Sequence, residues 1–151
     1  MIRIFKTENG LIHQKDELSP GSWIALTNPT ATEILEIANT YGIDPDDLRA
    51  PLDEEERSRI ETEDNYTLIL VDIPSIEERN DKDWYVTIPM GIITTEEVII
   101  TVCLEETPVL KAFMNNRERE FYTFKKTRFV FQILYRNATS YLRYLRIIDN
   151  I

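Results

Sequence analysis

Carboxylates crowd the stretch from Asp44 to Glu56. Asp46 and Asp47 follow a proline, and Asp53, Glu54, Glu55 and Glu56 run consecutively. Carboxylate oxygens are the ligands that Mg²⁺ and Ca²⁺ take, so four in a row could collect a divalent cation. A compact site needs oxygens that converge on one point. Consecutive residues of a helix or strand point in different directions, so a solvated acidic face is the simpler expectation for the run. Other reactive groups are sparse. The one cysteine, Cys103, lies inside an apolar run, and the one histidine, His13, lies in a distant strand-like segment. A buried structural thiol is therefore expected rather than a nucleophile. One histidine and one cysteine cannot make a usual zinc site. The four glycines are scattered and match no phosphate-binding fingerprint. No serine stands in a nucleophile-elbow context, and nothing singles out a catalytic pair of acids.

The bulk properties narrow the class. A length of 151 residues suits one domain with a real core. The composition, 42% hydrophobic and 29% charged, is that of a globular chain. A net charge of −10 repels nucleic acid and anionic lipid heads, so neither is expected as a partner, and it suits cations better. A lone cysteine fits a reducing compartment. No apolar run approaches the ~20 residues that span a bilayer, and Arg3 and Lys6 interrupt any leader-like pattern. The chain is expected to be soluble by itself.

The elements that must position these groups follow from periodicity and punctuation. Met1–Lys6 and Leu11–Lys15 read as strands around the Asn9-Gly10 turn, and Ser22–Thr27 as a third, more buried one. Thr30 and Glu33 form a capping box for a helix that Gly42 ends. Asp44 and Pro45 start a second, short helix that buries Leu48 and Leu52. Arg57–Ile73 reads as a hairpin of one charged edge strand and one central strand, turning at Asp64-Asn65. Pro74–Asp83 is expected as an exposed loop. Trp84–Ile93 and Val98–Leu104 follow as strands, with Pro89 demanding an edge or a bulge. Pro108 starts a third helix. From Lys125 onwards runs the longest helical pattern, still unbroken at Asp149-Asn150-Ile151, which predicts a helix cut short where this chain stops. Phe129, Phe131 and Tyr135 within it are expected as core or interface. The fold class is α/β (α+β): a mixed, largely antiparallel sheet of about seven strands covered by helices.

The order of several segments resembles the cytoplasmic domain of CorA-type divalent-cation transporters. The similar features are Tyr41-Gly42-Ile43-Asp44-Pro45 and the Leu48 helix, then Arg57-x-Arg59-Ile60-Glu61 with Asn65-Tyr66 and an apolar strand. Ile88-Pro89-Met90-Gly91-Ile92-Ile93, Val98–Val102 and the long helix from Phe129 complete them. The resemblance implies one N-terminal domain over residues 1–151, non-enzymatic, with 126–151 beginning a stalk helix. Two membrane helices and a Gly-Met-Asn pore motif would lie beyond. It implies a regulatory funnel on the cytoplasmic side of the cell membrane, self-associated as a pentamer with its own membrane domain. No cofactor is required, and Mg²⁺ or another divalent cation between neighbouring domains would hold the pore closed.

The chain departs from that family at the expected ligands. Arg49-Ala50 stands where the family's regulatory Glu-Asp pair falls, and a further family carboxylate falls at or near Arg128. Arginine cannot ligate a cation. The expected substitutes are Asp46, Asp47, Asp53 and Glu54, with Arg49, Arg128, Tyr141, Leu145 and Ile148 as the interface. The alternative is a stand-alone soluble interaction or cation-sensor module of the same fold.

Overall fold

A computed structural model describes residues 1–149; Asn150 and Ile151, the last two positions of the expected stalk pattern, lie outside the described residues. One seven-stranded sheet runs through the molecule, β1 (Ile2–Glu8), β2 (Leu11–Lys15), β3 (Trp23–Thr27), β4 (Arg59–Thr62), β5 (Tyr66–Arg79), β6 (Lys82–Thr95) and β7 (Ile99–Cys103). Its order is β2-β1-β3-β7-β6-β5-β4. Among the described residues only β3 and β7 run parallel; every other neighbouring pair is antiparallel. The mixed, largely antiparallel sheet expected from the pattern is thus present, with four helices on it: α1 (Ala31–Tyr41), α2 (Pro45–Arg49), α3 (Pro108–Met114) and α4 (Lys126–Asp149).

β3 and β7 are buried on both sides, which is why they read as unbroken apolar runs. Side chains alternate across a strand. Ile24, Leu26, Ile100 and Val102 therefore join one core, with Ile34 and Ile37 of α1 and Leu48 of α2. Trp23, Ala25, Ile99 and Cys103 join the other, with Phe113 of α3 and Phe129 and Ile133 of α4.

Local chemistry sets the α1–α2 layer. The Thr30 hydroxyl accepts from the Glu33 N–H, and Glu33 accepts in return from the Thr30 N–H. Gly42 closes α1 at φ 67°, where a side chain would be strained. Asp44 caps α2 by accepting from the Asp46 N–H at 2.9 Å, and Pro45 takes the first helical position. A 3-10 turn, Ala50–Leu52, then presses onto β6; a Cβ on Gly91 would sit 2.4 Å from Pro51 Cγ.

The α3–α4 layer is tied down by residues distant in sequence. The N–H of Thr7 donates to the Thr123 hydroxyl and the N–H of Thr123 to the Thr7 hydroxyl, both at 3.0 Å. Thr123 Oγ1 also donates to the Gly21 carbonyl at 2.7 Å. This buried clasp roots α4 just before it begins. Further along α4, Asn137 donates to the Asp72 carbonyl at 3.0 Å.

One expectation fails. Pro74–Asp83 is not a loop but the far half of the β5–β6 hairpin, paired from Tyr66↔Thr95 to Arg79↔Lys82. Asn80 and Asp81 make the turn, both with positive φ, as a tight hairpin turn requires. Beyond Asp72 this ribbon has no strand on either side, since β4 pairs no further than Leu70 and β7 no further than Met90. Its distal part, residues 76–84, is exposed on both faces and needs no apolar alternation, so its charged sequence resembles a loop. Pro89 lies just past the end of the β7 ladder, at a place where β6 has one neighbour, as a residue lacking an N–H requires. The arm leans on α4 through Tyr85 and Tyr144, whose rings are 5.2 Å apart.

Candidate functional site

The carboxylates that converge come from two elements. Asp47 stands in the first turn of α2, and Glu61 and Glu63 lie two residues apart on and just after β4. One oxygen from each lies within 4.8 Å of the others. Residues two apart on a strand share a face, so β4 presents Glu61 and Glu63 together to the start of α2.

Tyr66 builds the floor. Its hydroxyl donates to Asp47 Oδ2 and accepts from the Asp44 N–H at 3.3 Å. Burial, then the bond to the Asp47 carboxylate, pushes the phenol up to about 12. It therefore stays protonated and fixes one Asp47 oxygen. The hairpin between Glu63 and Tyr66 is closed by the Glu63 N–H to the Tyr66 carbonyl, 2.9 Å. Arg59 flanks the cluster, its Nε donating to Glu61 at 2.7 Å and its Nη1 to Glu56. Those bonds, Glu61 first, raise the guanidinium above its ordinary range.

Three carboxylates make a hard-oxygen donor set suited to Mg²⁺ or Ca²⁺. Ligand oxygens around Mg²⁺ at ~2.1 Å sit roughly 3–4 Å apart, so the cluster would draw in slightly on a bare ion.

The structure divides the residues singled out by sequence. Asp47 joins the cluster. Asp46 is exposed and holds Arg49 Nη1 at 3.1 Å. Asp53 accepts from the Glu55 N–H at 3.0 Å, capping a turn, and Glu54 is exposed. Ala50 opens the 3-10 turn. Arg128 pairs with Glu120 at 3.0 Å. Tyr141 is half-buried, its phenol raised by burial and by Asp72, while Leu145 and Ile148 are exposed. They extend an uncovered stripe, Phe131, Tyr135, Ala138, Leu142 and Leu145, whose 4-3-4-3 spacing is that of a helix-packing seam. Phe129 alone of the three expected aromatics is core; Phe131 and Tyr135 stand 66% and 75% exposed. Cys103 is buried and its thiol pushed up to about 12, mainly by burial, so it is no nucleophile. His13 is exposed on β2. Glu61 and Glu63 escaped sequence reasoning. Their signal, two acids on one strand face, depends on knowing that α2 lies opposite.

Residues 20–151 match the family model described as CorA-like Mg²⁺ transporter protein. The cobalt/magnesium transport protein CorA of Methanocaldococcus jannaschii is 28% identical over 135 residues, covering 85% of this chain and 39% of the relative. The solved soluble domain of CorA from the same organism superposes with a TM-score of 0.79 at 22% identity, covering 99% of this chain and 60% of that one. The complete CorA magnesium transporter structure from that organism gives 0.77 at 20% identity, over 99% of this chain and 48% of that one. The chain therefore spans less than two thirds of the length of each of these relatives. Among the described residues no helix is long and apolar enough to cross a membrane.

Proposed function

The chain belongs to the CorA-like Mg²⁺ transporter family, and from that premise we propose that it is the regulatory domain of a divalent-cation channel. It would act on the cytoplasmic side of the membrane, with flux carried by membrane segments of the parent protein. The observation that carries this reading is the family match over residues 20–151, which takes in all four helices and five of the seven strands.

The regulatory ligand in this reading is the transported class of ion, Mg²⁺ or Co²⁺. Asp47, Glu61 and Glu63 repel one another as they stand, and a divalent ion among them removes the repulsion and ties α2 to the edge strand β4. Asp46, Asp53 and Glu54 add to the negative field that concentrates cations there. The domain self-associates through the uncovered stripe of α4 with Tyr141, Leu145 and Ile148, as a pentamer in the parent. Arg49 and Arg128 each hold a carboxylate of their own chain, Asp46 and Glu120. Exchanging these for a neighbour's carboxylates would form the intersubunit pairs. Any ligand that binds one arrangement better than the other shifts the equilibrium by its differential affinity.

Titration calorimetry with Mg²⁺ and Co²⁺, beside sedimentation with and without metal, tests this. Saturable binding is expected, lost in Asp47→Asn/Glu61→Gln and kept in Glu54→Gln. Absence of saturable binding, or equal loss in Glu54→Gln, rejects the site. A sedimentation coefficient that ignores metal rejects the coupling.

A further inference from the structure

Charge is unevenly spread along this acidic chain. Residues 107–151 carry nine Lys and Arg against three Asp and Glu, a net of +6; residues 1–106 carry eight against twenty-four, a net of −16. Part of this basic excess converges. An open cleft of about 450 Å³ lies between α3 and α4, with Arg117, Arg136 and Arg143 around it.

Arg136 is held in place there. Its Nε donates to the Glu118 carboxylate, its Nη2 to the Arg117 carbonyl at 3.3 Å, and its guanidinium lies 5.6 Å from the centre of the Phe113 ring. Among the described residues neither Arg117 nor Arg143 has a carboxylate partner, although the chain has ten more acids than bases. One carboxylate thus faces three guanidiniums. Ser140 adds a hydroxyl and Tyr135 an exposed ring.

We propose that this cleft binds a phosphate group, carried by a small soluble anion or by a lipid head. Guanidinium is planar, always charged, and presents paired donors that match phosphate oxygens. A preset Arg136 and two uncommitted arginines supply that recognition at little ordering cost. The volume suits a small ligand, since such sites run about 300–1,000 Å³. Arginines serving solubility alone would be spread around the helix, whereas these share one concave surface. The proposal stands apart from the cation site, which lies on other elements.

Calorimetry of the full chain with sodium pyrophosphate in Mg²⁺-free buffer tests the soluble source. Cosedimentation with phosphatidylglycerol vesicles, against phosphatidylcholine, tests the lipid source. The Arg117→Gln/Arg143→Gln variant should weaken binding about tenfold or more, the scale of one lost charge-assisted pair. Arg119→Gln, a charge change outside the cleft, should alter it by about twofold or less, since exposed charges are screened over distance. Both variants should melt like the parent, all three arginines being at the surface. Binding in either arm with this pattern upholds the site and identifies the carrier. Binding in neither arm overturns it, as does equal weakening by Arg119→Gln. It is also overturned if the double variant changes only the sedimenting mass, which would mean that a second copy's carboxylates fill the cleft.

Discussion

The two faces of the sheet are built from different materials. Under α1 and α2 the core is nearly all aliphatic, with Ile24, Leu26, Ile34, Ile37, Leu48 and Val102. Under α3 and α4 it centres on Trp23, whose ring lies 5.0–6.4 Å from those of Phe5, Phe113, Phe121 and Phe129. One five-residue strand, β3, feeds both by alternation. The aliphatic side is positioned locally, by a capping box, a C′ glycine and a proline start. The aromatic side is positioned by contacts such as Thr7 with Thr123, more than a hundred residues apart. Charge follows the same division: the convergent carboxylates lie with α2, and the basic excess lies with α3 and α4. The lesson is that one layer can be set by short-range grammar while the other depends on the finished fold.

Substitutions can break this contrast. Trp23→Ala should cost the most, about 3–5 kcal/mol, because a large ring touching four others leaves a cavity that α4 cannot collapse into. Ile37→Val on the opposite face should cost only about 0.5–1.5 kcal/mol. Urea denaturation monitored by circular dichroism reads both, and similar losses would show that the faces are equally plastic. Gly91→Ala should cost about 1–3 kcal/mol, because its methyl meets Pro51 and overpacks the aliphatic side. Thr30→Ala should cost about 1 kcal/mol by removing one partner of the capping box. Melting curves would rank the pair, and a negligible Thr30 effect would undo the claim of local positioning.

A further effect is alkaline. The folded-state value of Tyr66 is raised to about 12 from an ordinary 10. An acid with a raised folded value favours folding while protonated, so this contribution is complete below pH ~10 and is lost as pH climbs towards 12. Tyr66→Phe should flatten that limb of the stability profile. Tyr41, Tyr141 and Cys103 are raised too, so the residual slope measures what they add together.

What sequence could and could not reveal divides along the same line. The caps of α1 and α2, the Asn9-Gly10 turn, the buried β7 and the succession of seven strands along the chain were legible because each signal sits within a few residues; their order across the sheet was not. The arm beyond Ser75 was not, since a ribbon wet on both faces carries no period-two pattern. The convergence of Asp47 with Glu61 and Glu63 was not either. The conspicuous acids were consecutive, and consecutive side chains diverge, while the useful ones were spaced and meet only across an α2–β4 contact. The aromatic stripe of α4 was legible as helix, but which ring turned inward was not. The Thr123 clasp at the root and the Asn137–Asp72 bond further along hold Phe129 towards Trp23 and leave Phe131 out.

That clasp also gives α4 the mechanics of a cantilever. The helix is fixed at its root, its fully buried side chains end at Asn137, and its last dozen residues run on with the β5–β6 arm resting against them. At 1.5 Å per residue this stretch is about 18 Å, so a tilt of roughly 10° at Asn137 swings Asp149 by about 3 Å. Side-chain repacking at the root is therefore amplified at the tip. The same lever works in reverse: a sideways load at the tip arrives at the aromatic core as a torque on Phe129 and Ile133.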